Sequence, residues 1–134
     1  MFRATQELHF CYGHRLLGHP GRCARLHGHN ARVFVVLRAD RVDAKGMVID
    51  FDTVLQRARG YLDEALDHRM LLQQGDPACA ALAGIGEQFV TLEAPPTAEN
   101  LARLIYEQLV RSGLPVAEVR LEEQPGSTAA YGIP

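Results

Sequence analysis

The residues best suited to chemistry lie between positions 23 and 29, where a thiol and two imidazoles fall within seven residues. Side chains two apart in an extended segment point to the same face, so His27 and His29 can converge on one point. Gly28 between them allows a close backbone approach. His14 ends an apolar alternation and supplies a third imidazole from a neighbouring predicted strand. Three neutral imidazoles are a suitable ligand set for a zinc ion, Zn²⁺.

Cys23 adds a thiol whose role depends on where it lies relative to such an ion. As a fourth ligand, it would close a structural site made of one cysteine and three histidines. As an unbound neighbour, it would lie beside a three-histidine zinc ion that keeps an open position for substrate. The dication would then favour the reactive thiolate form of the side chain. Residue types and spacing leave both alternatives open.

The composition is typical of one globular domain over residues 1–134, large enough to fold without cross-links. The net charge of −2, with both signs mixed, gives no electrostatic reason to expect a nucleic-acid or membrane partner. The apolar runs are too short for a membrane span, and the sequence shows no signal peptide. Three widely spaced cysteines do not resemble a disulfide framework. We therefore expect a cytoplasmic protein.

Hydrophobic periodicity predicts four strands and two main helices. Alternation of period two indicates strands at 2–12, 29–40, 116–123 and 129–133. Apolar stripes of helical period indicate a helix at 52–66 and a second one that begins at Thr97 and stops before Gly113. A short helix at 77–82 and a short strand at 89–92 are weaker candidates. This order favours an α+β fold, a four-stranded antiparallel sheet with both helices on one face.

The predicted strand at 29–40 carries apolar residues on both faces, because Phe34 and Val36 lie between Arg32 and Arg38. A strand that is apolar on both faces is covered on both sides. In a chain of this length, the second cover would be another subunit.

The loop at 15–26 is locally basic, since it contains Arg15, Arg22 and Arg25. These side chains are either ordinary surface charges or an anion site beside the metal ion.

Five further polar residues allow two interpretations each. Asp67 and His68 end the first helix, either as a solvated helix end or as a carboxylate–imidazole pair for proton transfer. Thr97 and Glu99 open the second helix, where a hydroxyl cap and an acid are favourable without any other role. Glu123 continues the apolar face of its strand, as a buried or cleft-facing acid or as a strand-end acid in solvent.

Six motifs in order along nearly the whole chain resemble the 6-pyruvoyltetrahydropterin synthase and 6-carboxytetrahydropterin synthase family. Each motif alone is weak, whereas all six in the same order are specific. The motifs are Phe10 through His14, Cys23-x-x-x-His27-Gly28-His29-Asn30, Ile49-Asp50-Phe51, Leu66-Asp67-His68, Pro96-Thr97-Ala98-Glu99-Asn100, and Glu123 at the end of the third predicted strand.

The resemblance implies the tunnelling fold, in which an antiparallel sheet carries two helices on one face. It also implies trimers that close their sheets into a barrel, and two trimers that stack as a homohexamer with active sites between subunits. Both implications agree with the strand that is apolar on both faces, and with the sheet edges that a single chain would leave unpaired.

The resemblance assigns the metal ligands and the base. His14, His27 and His29 would hold the zinc ion, and Cys23 would be the thiolate base.

The resemblance assigns the remaining site residues as follows. Asp67 and His68 would be a second proton-transfer group, brought from the neighbouring subunit. Glu123 would anchor a pterin by accepting two parallel hydrogen bonds from its amino-pyrimidine edge. Thr97 and Glu99 would line that pocket.

The implied reaction is a zinc-dependent lyase reaction on 7,8-dihydroneopterin triphosphate. A carboxy-forming enzyme releases triphosphate and acetaldehyde and leaves 6-carboxytetrahydropterin, a queuosine precursor. A pyruvoyl-forming enzyme stops after elimination of triphosphate. The three residues between Cys23 and His27 match the carboxy-forming members better. Other possibilities are an aldolase-like cleavage of the dihydroneopterin side chain and a non-catalytic module with a structural zinc ion.

Two features depart from the family pattern. The usual Glu-Thr pair reads Glu123-Gln124, and Glu122 precedes it as a rival pterin anchor. Alternation and the distance to Tyr131 favour Glu123 over Glu122. The segment at 70–94 is longer than in the shortest members of the family.

Overall fold

The computed structural model describes all 134 residues as a mixed six-stranded β-sheet with three α-helices. The sheet order is β4-β3-β1-β2-β5-β6. Neighbours are antiparallel from β1 to β6, whereas β3 runs parallel to both β1 and β4. The elements are β1 (Phe2–His14), β2 (His27–Ala39), α1 (Phe51–Ala65), β3 (Arg69–Gln73), α2 (Ala78–Gly84), β4 (Phe89–Leu92), α3 (Ala98–Arg111), β5 (Val116–Gln124) and β6 (Ser127–Gly132).

The α+β class is confirmed, but the prediction of a four-stranded antiparallel sheet with two helices is wrong. Two parallel strands extend the sheet beyond β1, and α2 is a third helix. The short strand at 89–92 and a short helix near 77–82 are confirmed. β3 escaped prediction because Leu71 and Leu72 are both fully buried, so this five-residue strand shows no alternation between apolar and polar residues.

β1 and β2 form a long hairpin that brings the histidines to one end of the sheet. Alternate side chains of β1 are buried, as its period-two pattern predicts. In the register of the pair, His14 lies opposite His27 and Tyr12 lies opposite His29. The loop at 15–26 therefore leaves and re-enters the sheet beside these residues. The buried residues in the second half of β1 are Leu8, Phe10, Tyr12 and His14.

The two longer helices cover one face of the sheet. The Asp50 side chain caps α1 by accepting a hydrogen bond from the Asp52 amide, and Thr97 caps α3 through the Asn100 amide. Their apolar stripes enter one core with β1, β2 and β5. Length and hydropathy together leave no candidate for a membrane-spanning segment among the helices. The core includes Val54, Ala58 and Leu62 of α1, Leu101, Ile105 and Leu109 of α3, and Val33, Val35, Val119 and Leu121 of the sheet.

The opposite face of the sheet is charged around its apolar residues. Arg32 pairs with Glu7 and Glu122, and its guanidinium lies 5.3 Å from the centre of the Phe34 ring. Val36 is buried and Phe34 half-buried. Within one chain, the Arg32 side chain therefore covers part of Phe34. That a second subunit packs on this face stays a prediction.

Candidate metal centre and its cavity

The three histidines predicted to bind metal converge at the end of the β1–β2 hairpin. His14 is the last residue of β1, and His27 and His29 open β2. Their ring centroids are separated by 4.5 to 5.0 Å, and one nitrogen of each lies within 4.8 Å of the other two. Residues directly opposite each other on paired strands point to the same face, and His14 lies opposite His27, which explains the convergence.

Backbone carbonyls fix the orientation of two of the rings. His14 donates a hydrogen bond from Nδ1 to the Pro96 carbonyl at 2.8 Å, and His27 donates from Nδ1 to the Arg25 carbonyl at 2.6 Å. A proton on Nδ1 leaves Nε2 with a free lone pair, as a metal ligand requires. Nε2 of His14 lies 3.2 Å from Nε2 of His29.

These nitrogen atoms suit a tetrahedral zinc ion. Zinc–nitrogen bonds of about 2.0–2.1 Å give ligand atoms separated by about 3.3 Å, close to the spacing of His14 and His29. Burial lowers the pKa of both imidazoles, against the opposing effect of nearby Glu123. The neutral form, which binds metal, is therefore favoured.

The three histidines line a cavity of the chain, and Cys23 lines the same cavity without belonging to the histidine cluster. The cavity has a volume of about 610 Å³, within the range of small-molecule sites. The Cys23 thiol is free and half-buried. The backbone carbonyl of Cys23 accepts a hydrogen bond from the Leu16 amide at 2.8 Å. The close group of possible metal ligands consists of the histidines without Cys23. This geometry favours an unbound thiol beside the metal position over a fourth ligand.

Glu123 faces the histidines, whereas Glu122 faces the other side of the sheet. Oε1 of Glu123 lies 3.3 Å from Nε2 of His14 and 3.6 Å from Nε2 of His29. It also accepts a hydrogen bond from the Tyr12 hydroxyl at 2.9 Å. Glu122 instead accepts hydrogen bonds from the Arg32 guanidinium at 2.9 to 3.2 Å. Of the two rival anchors, only Glu123 has its carboxylate in the cavity.

The start of α3 lines the cavity opposite the hairpin. Thr97 and Glu99 both border it. The Thr97 hydroxyl accepts a hydrogen bond from the Asn100 amide at 3.2 Å, so it also serves as the helix cap. Since Pro96 binds the ring of His14, the same turn positions the helix and one predicted metal ligand.

His68 lines a second cavity of about 630 Å³, which also borders His27 and His29 but not Cys23. Asp67 accepts hydrogen bonds from Nδ1 of His68 at 2.8 Å and from the Cys11 amide at 3.0 Å. Burial opposes ionisation of Asp67, but these two hydrogen bonds and the nearby charges of His68 and Arg59 together hold the pKa of Asp67 below its ordinary value. The structure thus brings this pair into contact, but not into the cavity that contains Cys23.

The turn at His68 is unusual in its backbone. His68 has φ of +58°, the only non-glycine residue with a positive φ, and its amide donates a hydrogen bond to the Cys11 carbonyl at 2.8 Å. Non-glycine residues in this left-handed region are uncommon, and they concentrate at functional sites. The observation supports a functional interpretation of this turn over a simple helix end.

Sequence reasoning missed two residues of these sites. Tyr12 is the first, because its parity with His14 places it on the cavity face and its hydroxyl binds Glu123. Cys11 is the second, because its sulfur lies within 4.8 Å of side-chain ligand atoms of Asp67 and His68. No local pattern marks Cys11, because the contact depends on β3 entering the sheet beside β1.

The site therefore consists of three converging histidines, a free thiol and a carboxylate in one cavity on an α+β scaffold. The sequence model described as 6-pyruvoyl tetrahydropterin synthase matches residues 3–133. The chain belongs to the 6-pyruvoyl tetrahydropterin synthase family.

Similar proteins include curated relatives and solved structures. The 6-carboxy-5,6,7,8-tetrahydropterin synthase of Rickettsia bellii is 36% identical over 104 residues, covering 76% of this chain and 75% of the relative. That of Haemophilus influenzae is 30% identical, covering 98% and 99%. An uncharacterized protein from Wolinella succinogenes has a TM-score of 0.84 at 27% identity, covering 98% and 97%. The Caenorhabditis elegans 6-pyruvoyl tetrahydropterin synthase has a TM-score of 0.73 at 25% identity, covering 98% and 94%.

Proposed function

We propose that this chain is a zinc-dependent lyase that converts 7,8-dihydroneopterin triphosphate and water into 6-carboxytetrahydropterin, acetaldehyde and triphosphate. The observation that carries this proposal is the cavity shared by the three-histidine cluster, Cys23 and Glu123. The names of the curated relatives support the carboxy-forming product. We further propose that the product serves queuosine biosynthesis in the cytoplasm, where the three free cysteines would stay reduced.

The chain's own residues supply binding and proton transfer. Glu123 would accept two parallel hydrogen bonds from the amino-pyrimidine edge of the pterin, with Thr97 and Glu99 beside it. Cys23, as thiolate, would remove a proton from the substrate's side-chain carbon, and the electron pair would pass into the dihydropterin ring. Zinc held by the histidines would lower the pKa of the side-chain hydroxyls.

We propose that Asp67 and His68 act on the active site of a neighbouring subunit. On one chain His68 lines a different cavity from Cys23, and its side chain is 79% exposed. An exposed acid–base pair that does not share a cavity with Cys23 of its own chain fits a role between subunits. The open edges at β4 and β6 also fit assembly into a homohexamer of two stacked trimers, with sheets closed into a barrel.

A pyruvoyl-forming activity is the second candidate, and the similarity to the Caenorhabditis elegans enzyme favours it. Both activities begin with loss of triphosphate, so the histidines and Cys23 do not distinguish them.

The reaction products distinguish the two activities. The purified, zinc-loaded protein is incubated with 7,8-dihydroneopterin triphosphate, and pterins and trapped aldehydes are identified by mass spectrometry. Acetaldehyde with 6-carboxytetrahydropterin is expected. A 6-pyruvoyl product without acetaldehyde would transfer the proposal to the second candidate, and unchanged substrate would contradict both.

A further inference from the structure

The structure separates the three arginines of the loop at 15–26 into two kinds. Arg15 forms a bidentate ion pair with Asp76. Its Nε donates to one carboxylate oxygen at 2.8 Å, and a second guanidinium nitrogen pairs with the other oxygen. The Asp76 side chain has no exposed surface. Arg15 therefore neutralises a buried acid and ties the loop to the start of α2, where Asp76 also accepts a hydrogen bond from the Ala78 amide.

Arg22 and Arg25 are different. Neither guanidinium has a hydrogen-bond or ion-pair partner in the chain, and both border the cavity of the histidine cluster and Glu123. They flank Cys23 on a single 3₁₀ turn, in which the Arg25 amide donates to the Arg22 carbonyl at 3.0 Å. Such a turn has three residues per revolution, so side chains three apart lie above one another.

Arg22 and Arg25 are the only arginines without a side-chain partner that border one of the three main cavities. The remaining arginines without a side-chain partner are Arg3, Arg41 and Arg111, and none of them borders the three main cavities. The arginines at the other two cavities, Arg69 and Arg103, are held by chain oxygens. Unpaired guanidinium groups are thus concentrated at one place on the cavity wall. They lie on the loop side, whereas the carboxylates of Glu99 and Glu123 come from α3 and β5.

We propose that Arg22 and Arg25 form a polyphosphate subsite that takes the triphosphate of the substrate. The inference rests on the proposed function and adds the residues that hold the leaving group. A molecule with hydrogen-bond donors at one end and an anion at the other fits a cavity with carboxylates on one side and guanidinium groups on the other. Arginine binds phosphate oxygens with two parallel hydrogen bonds, and here it would also stabilise the charge that develops on the departing triphosphate.

Binding of inorganic triphosphate tests the subsite directly. The zinc-loaded full-length protein is titrated with sodium triphosphate by calorimetry at fixed ionic strength, as parent, Arg22→Gln, Arg25→Gln and the double variant. We expect each single change to weaken binding about tenfold and the double change to weaken it further, from the loss of charge-assisted hydrogen bonds. Triphosphate chelates divalent cations, so zinc content is measured after each titration and only equally loaded samples are compared.

The matched control is the double variant Arg41→Gln with Arg111→Gln, which removes the same charge from unpaired arginines outside the cavity. This control should bind triphosphate as the parent does. The proposal is overturned if the Arg22 and Arg25 double variant binds triphosphate as tightly as the parent. It is equally overturned if the control loses as much affinity, because net charge alone would then explain the effect.

Two further measurements separate this inference from the proposed function. Neopterin, which carries no phosphate, should bind the parent and the Arg22 and Arg25 double variant equally, whereas KM for 7,8-dihydroneopterin triphosphate should rise in the variant. If the parent forms product and the variant's KM is unchanged, the subsite is wrong and the function stands. If triphosphate binding depends on the arginines but the parent forms no product, the function is wrong and the subsite stands.

Discussion

The hydroxyl of Tyr12 donates a hydrogen bond to Oε1 of Glu123 across 2.9 Å, which links β1 to β5 over the intervening strand β2. Tyr12 is buried, its ring stacks on Phe10, and its edge meets the ring of His14. Burial, together with the charge of Glu123, raises the pKa of Tyr12 well above its ordinary value, so the hydroxyl stays a donor throughout the physiological range. A fixed donor therefore holds the Glu123 carboxylate beside the histidines.

Replacing Tyr12 by Phe should weaken pterin binding while keeping the fold. The change removes one hydrogen bond to a carboxylate but leaves the ring contacts. A bond to a charged group contributes about 1.5–3 kcal/mol, so we expect affinity for neopterin to fall by about tenfold or more. Fluorescence titration of the zinc-loaded protein measures it.

The control for this change is Tyr61→Phe, because Tyr61 is half-buried and its hydroxyl has no hydrogen-bond partner. Tyr61→Phe should leave neopterin affinity unchanged. Equal affinities of Tyr12→Phe and the parent would show that the orientation of Glu123 does not depend on this bond.

Cys23→Ala should keep the metal and lose turnover. The thiol lies outside the cluster of histidine nitrogens, so its removal takes away no metal ligand. Loss of a general base lowers rates by about 10²–10⁴-fold. Zinc content by plasma mass spectrometry and product formation are measured together, with Cys79→Ala as a control that removes another free, half-buried thiol. Retained turnover in Cys23→Ala would end its assignment as the base, and lost zinc would make it a ligand.

His14→Ala should abolish high-affinity metal binding. His14 is nearly fully buried, and its Nε2 lies 3.2 Å from Nε2 of His29 and 3.3 Å from Oε1 of Glu123. Two remaining histidines rarely hold zinc tightly. Zinc should also raise the unfolding temperature of the parent and not that of the variant, since a ligand stabilises only the state that binds it. His9→Ala, which removes an exposed histidine, is the control and should behave as the parent. Stoichiometric zinc in His14→Ala would refute the three-histidine centre.

Sequence periodicity was enough to predict that the three histidines converge. Alternation along β2 and the pairing of β1 with β2 in one hairpin are all that the convergence requires. His27 and His29 share a strand face, and His14 ends the partner strand. Alternation also predicts that Glu123 and Glu122 face opposite sides of the sheet, and their contacts with Tyr12 and Arg32 lie on opposite sides. These relationships depend only on the local period of the chain.

Contacts that depend on the order of strands in the sheet could not be predicted from the sequence. Tyr12 reaches Glu123 only because β5 pairs with β2, and no local pattern gives that neighbour. The Asp67–His68 contact forms at a turn where His68 has a positive φ, and no local pattern predicts that backbone conformation. β3 itself was missed because both of its faces are buried, so the correct sheet could not be assembled from periodicity.

The Arg15–Asp76 pair should make stability depend on pH in the acid range. The hydrogen bond from Arg15 holds the pKa of Asp76 below its ordinary value, against the opposing effect of burial. A lowered folded-state pKa stabilises the fold fully above the unfolded-state value of about 3.9, and this contribution disappears as pH falls through the lower folded value. Asp76→Asn should therefore reduce the pH dependence of the free energy of unfolding below about pH 4, measured by urea denaturation.

At neutral pH, Asp76→Asn should cost about 3 kcal/mol, the lower end for breaking a buried pair, because the Arg15 side chain retains 23% exposure and some solvation. The comparison is Asp63→Asn, which breaks the exposed Arg59–Asp63 pair and should cost less than about 1 kcal/mol. Similar losses in the two variants would mean that burial of Asp76 adds nothing to the strength of its pair.

Two inactive variants should restore each other's activity if Asp67 and His68 serve a neighbouring subunit. Cys23→Ala removes the base from one cavity, and Asp67→Asn removes the carboxylate that binds His68 at the other. In a mixed oligomer, some sites would combine an intact Cys23 with an intact Asp67 from another chain. Co-expression with two affinity tags isolates mixed oligomers, whose composition native mass spectrometry verifies. We expect each variant alone to be inactive and the mixture to form product. An inactive mixture of verified composition would mean that the pair and Cys23 do not meet across subunits.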